Sequence, residues 1–217
     1  MTFKYPHSRI AIFAREPVLG QVKTRLAPAI GQAQALHLYK AMLGRTGNTL
    51  EACGLAGWDL WVTSNPSHEY FISLCNKKNI ILQEGDDLGQ KMSTAMGLML
   101  DQAEIDSAII IGSDCPAISP AYLDTALGLL NEGCDVVLGP AEDGGYVLLG
   151  MRRVIPELFE GIGWGSGEVL SDTLQRLQAL GISYRLLETL WDVDRAEDLL
   201  RLGELSPPLQ WAIKLDK

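Results

Sequence analysis

Histidine and cysteine are scarce in this chain: three histidines (His7, His37, His68) and four cysteines (Cys53, Cys75, Cys115, Cys134) are spread over 217 residues. A structural zinc site draws its ligands from closely spaced pairs, and a disulfide framework packs its cysteines densely, so neither scaffold is expected and four reduced thiols fit better. Long apolar runs are missing too. Stretches such as residues 108–111 and 136–138 fall far short of the roughly 20 residues a membrane-spanning helix needs. Residues 1–9 are mixed and polar and lead into a strand-like run without a signal-peptide pattern, so a cytoplasmic protein with no membrane span is expected. Positive charge is in deficit, with 18 Lys and Arg against 27 Asp and Glu, a net charge of -9. That balance disfavours a nucleic-acid partner, whose binding relies on many cationic phosphate contacts. A local cluster of cations in such a chain is informative. No Gly/Ser-rich linker, low-complexity tract or internal repeat divides the sequence, and its length suits one substantial core, so a single domain over residues 1–217 is expected.

Short apolar runs recur at residues 10–14, 60–63, 80–82, 108–111, 136–138 and 146–149, with helical patterns between most of them, and residues 183–187 suggest a late strand. This alternation predicts an α/β fold with a mostly parallel central sheet covered by helices on both faces. Leu36, Tyr39, Leu43 and Leu50 form one helical stripe and Leu88, Met92, Ala95 and Met99 another, each read as a core-facing side. Ser119-Pro120 reads as an N-cap and first helical residue ahead of Leu123, Leu127 and Leu130. Leu170, Leu174 and Leu177 mark a further helix that ends near Gly181.

In an open α/β sheet ligands bind beyond the C-terminal ends of the strands, so the polar residues after each apolar run carry the interest. The first such segment is Arg15-Glu16-Pro17-Val18-Leu19-Gly20-Gln21-Val22-Lys23-Thr24-Arg25-Leu26. Its three cations and free backbone amides suit a phosphate cradle, with Lys23 a compact charge and Arg25 a bidentate fork; a solvated basic loop is the alternative. It lacks the P-loop pattern, so ATPase chemistry gains no support. Asp114, in Gly112-Ser113-Asp114-Cys115-Pro116, suits Mg²⁺ or Mn²⁺ bridged to phosphate oxygens, or else a turn before Pro116. Trp191-Asp192-Val193-Asp194 sets two carboxylates on alternate residues, and Asp194 with Glu197 equally suits a helix capping box. Ala141-Glu142-Asp143-Gly144-Gly145-Tyr146 is either a glycine turn with acidic flanks or an acceptor site. There the glycines would let substrate approach the backbone and Asp143 would orient or deprotonate a hydroxyl. Gly85-Asp86-Asp87-Leu88-Gly89-Gln90-Lys91 is a helix start with acidic caps or a nucleotide-facing loop. The glycine-rich residues 161–167 fit neither the dinucleotide fingerprint, because Ser166 holds its last position, nor the nucleophile elbow, because Trp164 stands at its first glycine.

Taken in order, Phe13-Ala14-Arg15-x-Pro17-x-x-Gly20-x-Val22-Lys23-Thr24-Arg25-Leu26, Gly112-Ser113-Asp114-Cys115-Pro116, Gly139-Pro140-Ala141-x-Asp143-Gly144-Gly145-Tyr146 and Trp191-Asp192-Val193-Asp194 resemble one family. It is the group of small GT-A-fold transferases found beside radical-SAM or selenium-related genes and linked in some genomes to arsenosugar biosynthesis. The resemblance runs over residues 10–200, with Lys91 and Ser166 where arginine and threonine are more frequent. The phosphate loop is also similar to that of phospholactate guanylyltransferases. The resemblance implies a single nucleotide-diphospho-sugar transferase (GT-A) domain, dependent on Mg²⁺ or Mn²⁺, that moves a sugar from a nucleotide diphosphate donor to a small-molecule acceptor. Nucleotidyl transfer from a nucleoside triphosphate with release of pyrophosphate is the nearest alternative, and a nucleotide-binding regulatory module without turnover the next. Asp114 and Asp143 are then the expected catalytic residues. Arg15, Lys23, Arg25, Asp87 and Gly89 are expected on the nucleotide and its phosphates, Gly144, Gly145 and Tyr146 on the acceptor, and Asp114 with Asp194 on the metal.

Overall fold

The computed structural model describes residues 2–211. Its elements follow in the order β1 (Ser8–Ala14), α1 (Ala27–Ile30), α2 (Gln32–Cys53), β2 (Gly57–Val62), α3 (Glu69–Leu74), β3 (Ile80–Leu82), α4 (Leu88–Leu100), β4 (Ser107–Gly112), α5 (Pro120–Asn131), β5 (Val136–Pro140), β6 (Tyr146–Met151), α6 (Val169–Ala179) and β7 (Tyr184–Leu186). A 3-10 helix, Ala196–Glu204, follows β7.

The strands form a seven-stranded sheet in the order β3-β2-β1-β4-β6-β5-β7. The first four are mutually parallel, β7 runs parallel to β5, and β6 alone runs antiparallel to its neighbours β4 and β5. The expected mostly parallel α/β fold is therefore what the chain adopts. Period-two alternation divides the core between the two faces of the sheet. Ile10, Ile12, Ile109, Ile111 and Val137 face α2, α3 and α5, whereas Ala11, Ala108, Ile110, Val136 and Leu138 face α4 and α6. A third, smaller cluster joins Leu26, Leu38 and Met42 to Val193 and Leu202, and so pins the loop after β1 to the segment before the 3-10 helix.

The helices begin and end as their sequences dictate. Ser119 accepts the Tyr122 N–H at 3.2 Å and Pro120 opens α5. The α2 stripe buries Tyr39, Leu43 and Leu50, and α2 stops at Gly54, whose φ of 61° is the left-handed conformation of a helix C-terminus. In the α4 stripe Met92, Ala95 and Met99 are buried, while Leu88 at the first position is exposed. No described helix is long and apolar enough to cross a membrane.

Candidate functional site

A cavity of about 310 Å³ opens at the end of the sheet where β1, β4 and β5 finish and β6 begins. Its polar wall carries Asp114, Asp143 and Asp192, and its apolar wall includes Phe13, Met92, Tyr146 and Trp164. A larger groove of about 1130 Å³ runs along the outer side of α2 toward Ser206 and Pro207, but none of these carboxylates lines it. The smaller cavity lies where an open α/β sheet places its ligands and is the candidate site.

Backbone hydrogen bonds bring the three carboxylates together from distant parts of the chain. Leu190 N–H donates to Pro140 O at 2.9 Å, Glu142 N–H to Leu190 O at 3.0 Å, and Val193 N–H to Asp114 O at 3.0 Å. The segment carrying Asp192 is thereby held between the end of β5 and the turn after β4. Asp143 is oriented by its own turn: its Oδ1 accepts the Gly145 N–H at 2.9 Å, and Gly144 N–H donates to Ala141 O. One oxygen of Asp114 is buried against Lys23 Nζ, 2.8 Å away, although the side chain as a whole is half exposed. The exposed oxygen is the other one, which is available to the cavity. Burial pushes the Asp192 carboxyl above its ordinary range, with Asp143 and then Asp114 adding to the rise while Lys23 opposes it.

Several candidate residues sit differently from expectation. Asp192, not Asp194, shares the cavity with Asp114 and Asp143. In an extended segment alternate residues share a face, but the chain turns after Val193, and Asp194 swings to Arg25, with Nη1 to Oδ2 at 2.5 Å. Nor does Asp194 form a capping box with Glu197: Asp198 Oδ2 accepts the N–H groups of both Asp194 and Arg195, at 2.9 and 2.7 Å. Asp87 caps α4 through the Gln90 N–H, so of its two readings the helix start is the one the geometry displays. Gly89 is buried, and a Cβ there would stand 2.6 Å from both Phe159 O and Trp164 Nε1, so packing of Trp164 over α4 requires it. Neither Asp87 nor Gly89 lines the cavity.

Gly144 and Gly145 part ways. Gly144 has φ of 89°, and a Cβ would lie 2.0 Å from Gly167 O, so a second loop and not a substrate takes up its open side. Gly145 and Tyr146 do line the cavity. Burial raises the Tyr146 hydroxyl above the ordinary phenol range.

In the loop after β1, buried Val22 and Leu26 anchor the chain while Arg15 and Arg25 remain at the surface, Arg25 with 70% of its side chain exposed. The Tyr39 hydroxyl accepts the Arg15 N–H and donates to the Arg15 carbonyl, both at 2.8 Å, which fixes where the loop leaves the strand. Lys23 is different. Only 4% of its side chain is exposed, and its Nζ donates to Val193 O at 2.7 Å besides lying against Asp114.

The residues that sequence reasoning did not select are Asp192, Phe13, Met92 and Trp164. The alternate acidic pair gave an equal signal for Asp192 and Asp194. The apolar three read as strand, core helix and a rejected glycine-rich motif.

Among the described residues no group of three His, Cys, Asp or Glu side chains converges closely enough to hold a metal unaided. Mg²⁺ is ordinarily held by one or two carboxylates together with water and substrate phosphates, so a free Asp114 oxygen beside Asp192 fits that pattern.

A profile of the family described as "Uncharacterized protein conserved in bacteria (DUF2064)" matches residues 48–166. A solved structure from Desulfovibrio desulfuricans G20, designated a nucleotide-diphospho-sugar transferase, is 30% identical, with a TM-score of 0.84 over 91% of this chain and 86% of that one. CMP:2-keto-3-deoxy-manno-octonic acid synthetase complexed with CTP superposes with a TM-score of 0.56 at 16% identity, over 92% and 98% of the two chains. Glucosyl-3-phosphoglycerate synthase from Mycobacterium tuberculosis, in complex with Mg²⁺ and UDP, gives 0.52 at 12% identity over 91% and 75%. The last two likenesses are of fold alone. No curated protein matches the chain.

Proposed function

The chain belongs to the DUF2064 family, and from that premise we propose that it is a transferase acting on a nucleotide substrate, specifically a metal-dependent glycosyltransferase. In this reading a sugar passes from a nucleotide diphosphate donor to a small acceptor, within one domain over residues 1–217. The observation that carries it is the cavity at the strand ends, where Asp114, Asp143 and Asp192 face an apolar wall beside the cationic loop. We place the chain with the small transferases found beside radical-SAM or selenium-related genes on the motifs quoted above.

Asp114 and Asp192 would hold Mg²⁺ or Mn²⁺, which when bound would offset the charge that builds on the departing diphosphate. Arg15 and Arg25, exposed on the loop after β1, would bind the phosphates. With Oδ1 engaged by Gly145, the second oxygen of Asp143 takes the proton of the acceptor hydroxyl. The apolar wall excludes water, so that the acceptor and not solvent receives the sugar.

The test is a thermal-shift screen of nucleotide sugars against nucleoside triphosphates, with Mg²⁺, Mn²⁺ or EDTA. A ligand that binds only the native state raises stability by about 2.7 kcal/mol at 100 times its Kd. A metal-dependent shift with one nucleotide sugar is expected. A shift confined to one triphosphate would move the reading to nucleotidyl transfer, which the fold likeness to a CTP-bound synthetase makes the natural second choice. Binding without turnover across an acceptor panel would leave a regulatory module.

A further inference from the structure

We infer that Lys23 is a positioning residue that holds Asp114 and the Trp191–Asp194 segment in place, and that it is not a phosphate contact. The inference rests on the site proposed above but assigns this lysine the opposite duty from its neighbours in the loop.

Three observations carry it. First, the Lys23 side chain is buried where Arg15 and Arg25 are exposed, although none of the three lines the cavity. An ammonium placed to meet an incoming diphosphate would stand at the open surface, as Arg25 does. Second, its ammonium already has partners inside the protein: Nζ lies 2.8 Å from Asp114 Oδ1 as an ion pair and donates to Val193 O at 2.7 Å. The Val193 N–H in turn donates to Asp114 O at 3.0 Å, so one lysine ties together the loop after β1, the turn after β4 and the segment bearing Asp192. Third, Lys23 has φ of 49°. A non-glycine residue in the left-handed region is costly and persists only where its surroundings demand it. Here buried Val22 and Leu26 fix the chain on either side, and the left-handed residue lets it turn the Lys23 side chain inward between them.

The chemical consequence lies in Asp114. With Oδ1 buried on Lys23, the carboxylate cannot rotate freely, and its other oxygen is presented toward the cavity. A buried carboxylate oxygen with no counter-charge would be strongly disfavoured, so removing Lys23 alone should cost more than removing Lys23 and the Asp114 charge together.

Inorganic pyrophosphate serves as the probe, with its affinity measured by calorimetry in EDTA and again with Mn²⁺. In EDTA, Lys23→Met should bind pyrophosphate within about twofold of the wild type, whereas Arg25→Gln should lose about tenfold. In Mn²⁺, Lys23→Met should lose the metal-dependent gain in affinity that the wild type shows. A residue that only stabilised the fold would leave that gain intact. The Tm of Lys23→Met should fall, and should fall less once Asp114→Asn is added.

If Lys23→Met does not fold, reductive methylation of the wild type decides the matter. Lys23 should stay unmodified with or without pyrophosphate while surface lysines react. A tenfold loss of pyrophosphate affinity in EDTA, or Lys23 reacting freely until pyrophosphate protects it, would overturn the inference. If the wild type binds neither pyrophosphate nor any nucleotide in either buffer, the proposed function fails. The double-variant Tm series and the methylation pattern then still judge the place of Lys23.

Discussion

At the residue scale the contrast between Asp192 and Asp194 decides how the carboxylates work. They stand two residues apart, flank the fully buried Val193 and belong to one motif, yet one lines the cavity and the other pairs with Arg25 in solvent. An exposed ion pair is worth little, because solvent and salt screen it, so Asp194→Asn should leave metal-dependent nucleotide affinity within about twofold of the wild type. Asp192 is half-buried beside two other acids, where a cation gains most. Asp192→Asn should reduce Mn²⁺-dependent nucleotide binding by at least about tenfold while raising the Tm, since it removes a charge that burial disfavours. Calorimetry on both variants checks this, and equal losses would sink the distinction. Sequence alone could not separate the pair, because two acidic residues at the same spacing look alike until the direction of the following turn is known.

At the element scale the strands and a few helix ends were readable. Apolar runs marked six strands and residues 183–187 suggested the seventh, and a Ser-Pro start and a glycine stop marked helix ends, because these signals are local. The errors were at the margins, and the order of strands was not legible at all. Strand β1 extends back through Arg9, and β2 begins at Gly57-Trp58-Asp59, because Arg9 and Asp59 form a two-bond ion pair at 2.6 Å that lets polar residues enter the sheet. Strand β6 lies between β4 and β5, and the 188–193 segment lies beside the end of β5. Pairings of that range leave no trace in periodicity.

Asp87 shows the same limit in the site, since an N-cap and a nucleotide contact ask for the same side chain. Asp87→Ala should cost about 1 kcal/mol of stability by denaturant titration, and Asp87→Ser should restore most of it. If Asp87 acts only as a cap, Asp87→Ser also keeps wild-type nucleotide affinity. A serine variant that is stable but has lost nucleotide binding would return the residue to the nucleotide.

At the scale of the whole molecule, the sheet is strongest at its centre and thinnest at the edge nearest the segment that bears Asp192. Strands β1 and β4 are flanked by pairing strands on both sides and fully buried at Ile10, Ile12, Ile109 and Ile111, whereas β7 has three residues, two of them exposed. Amide hydrogen exchange should therefore be slowest at those four isoleucines, requiring global unfolding, and faster at Tyr184–Leu186, which can open locally. Ligand turns this into a test of where the site is anchored. Adding donor nucleotide and Mn²⁺ at 100 times Kd should raise the opening free energy of the central isoleucines by about 2.7 kcal/mol, because their exchange requires loss of the bound state. The β7 amides should gain almost nothing if β7 can detach while the end of β5, the turn at Asp114 and the Asp192 segment stay together. Equal gains at β7 and the centre would mean that the edge strand and the site unfold as one unit. The hydrogen bonds from the 188–193 segment to Pro140 and Asp114, together with the grip of Lys23, would then have to be strong enough to carry the edge of the sheet with them.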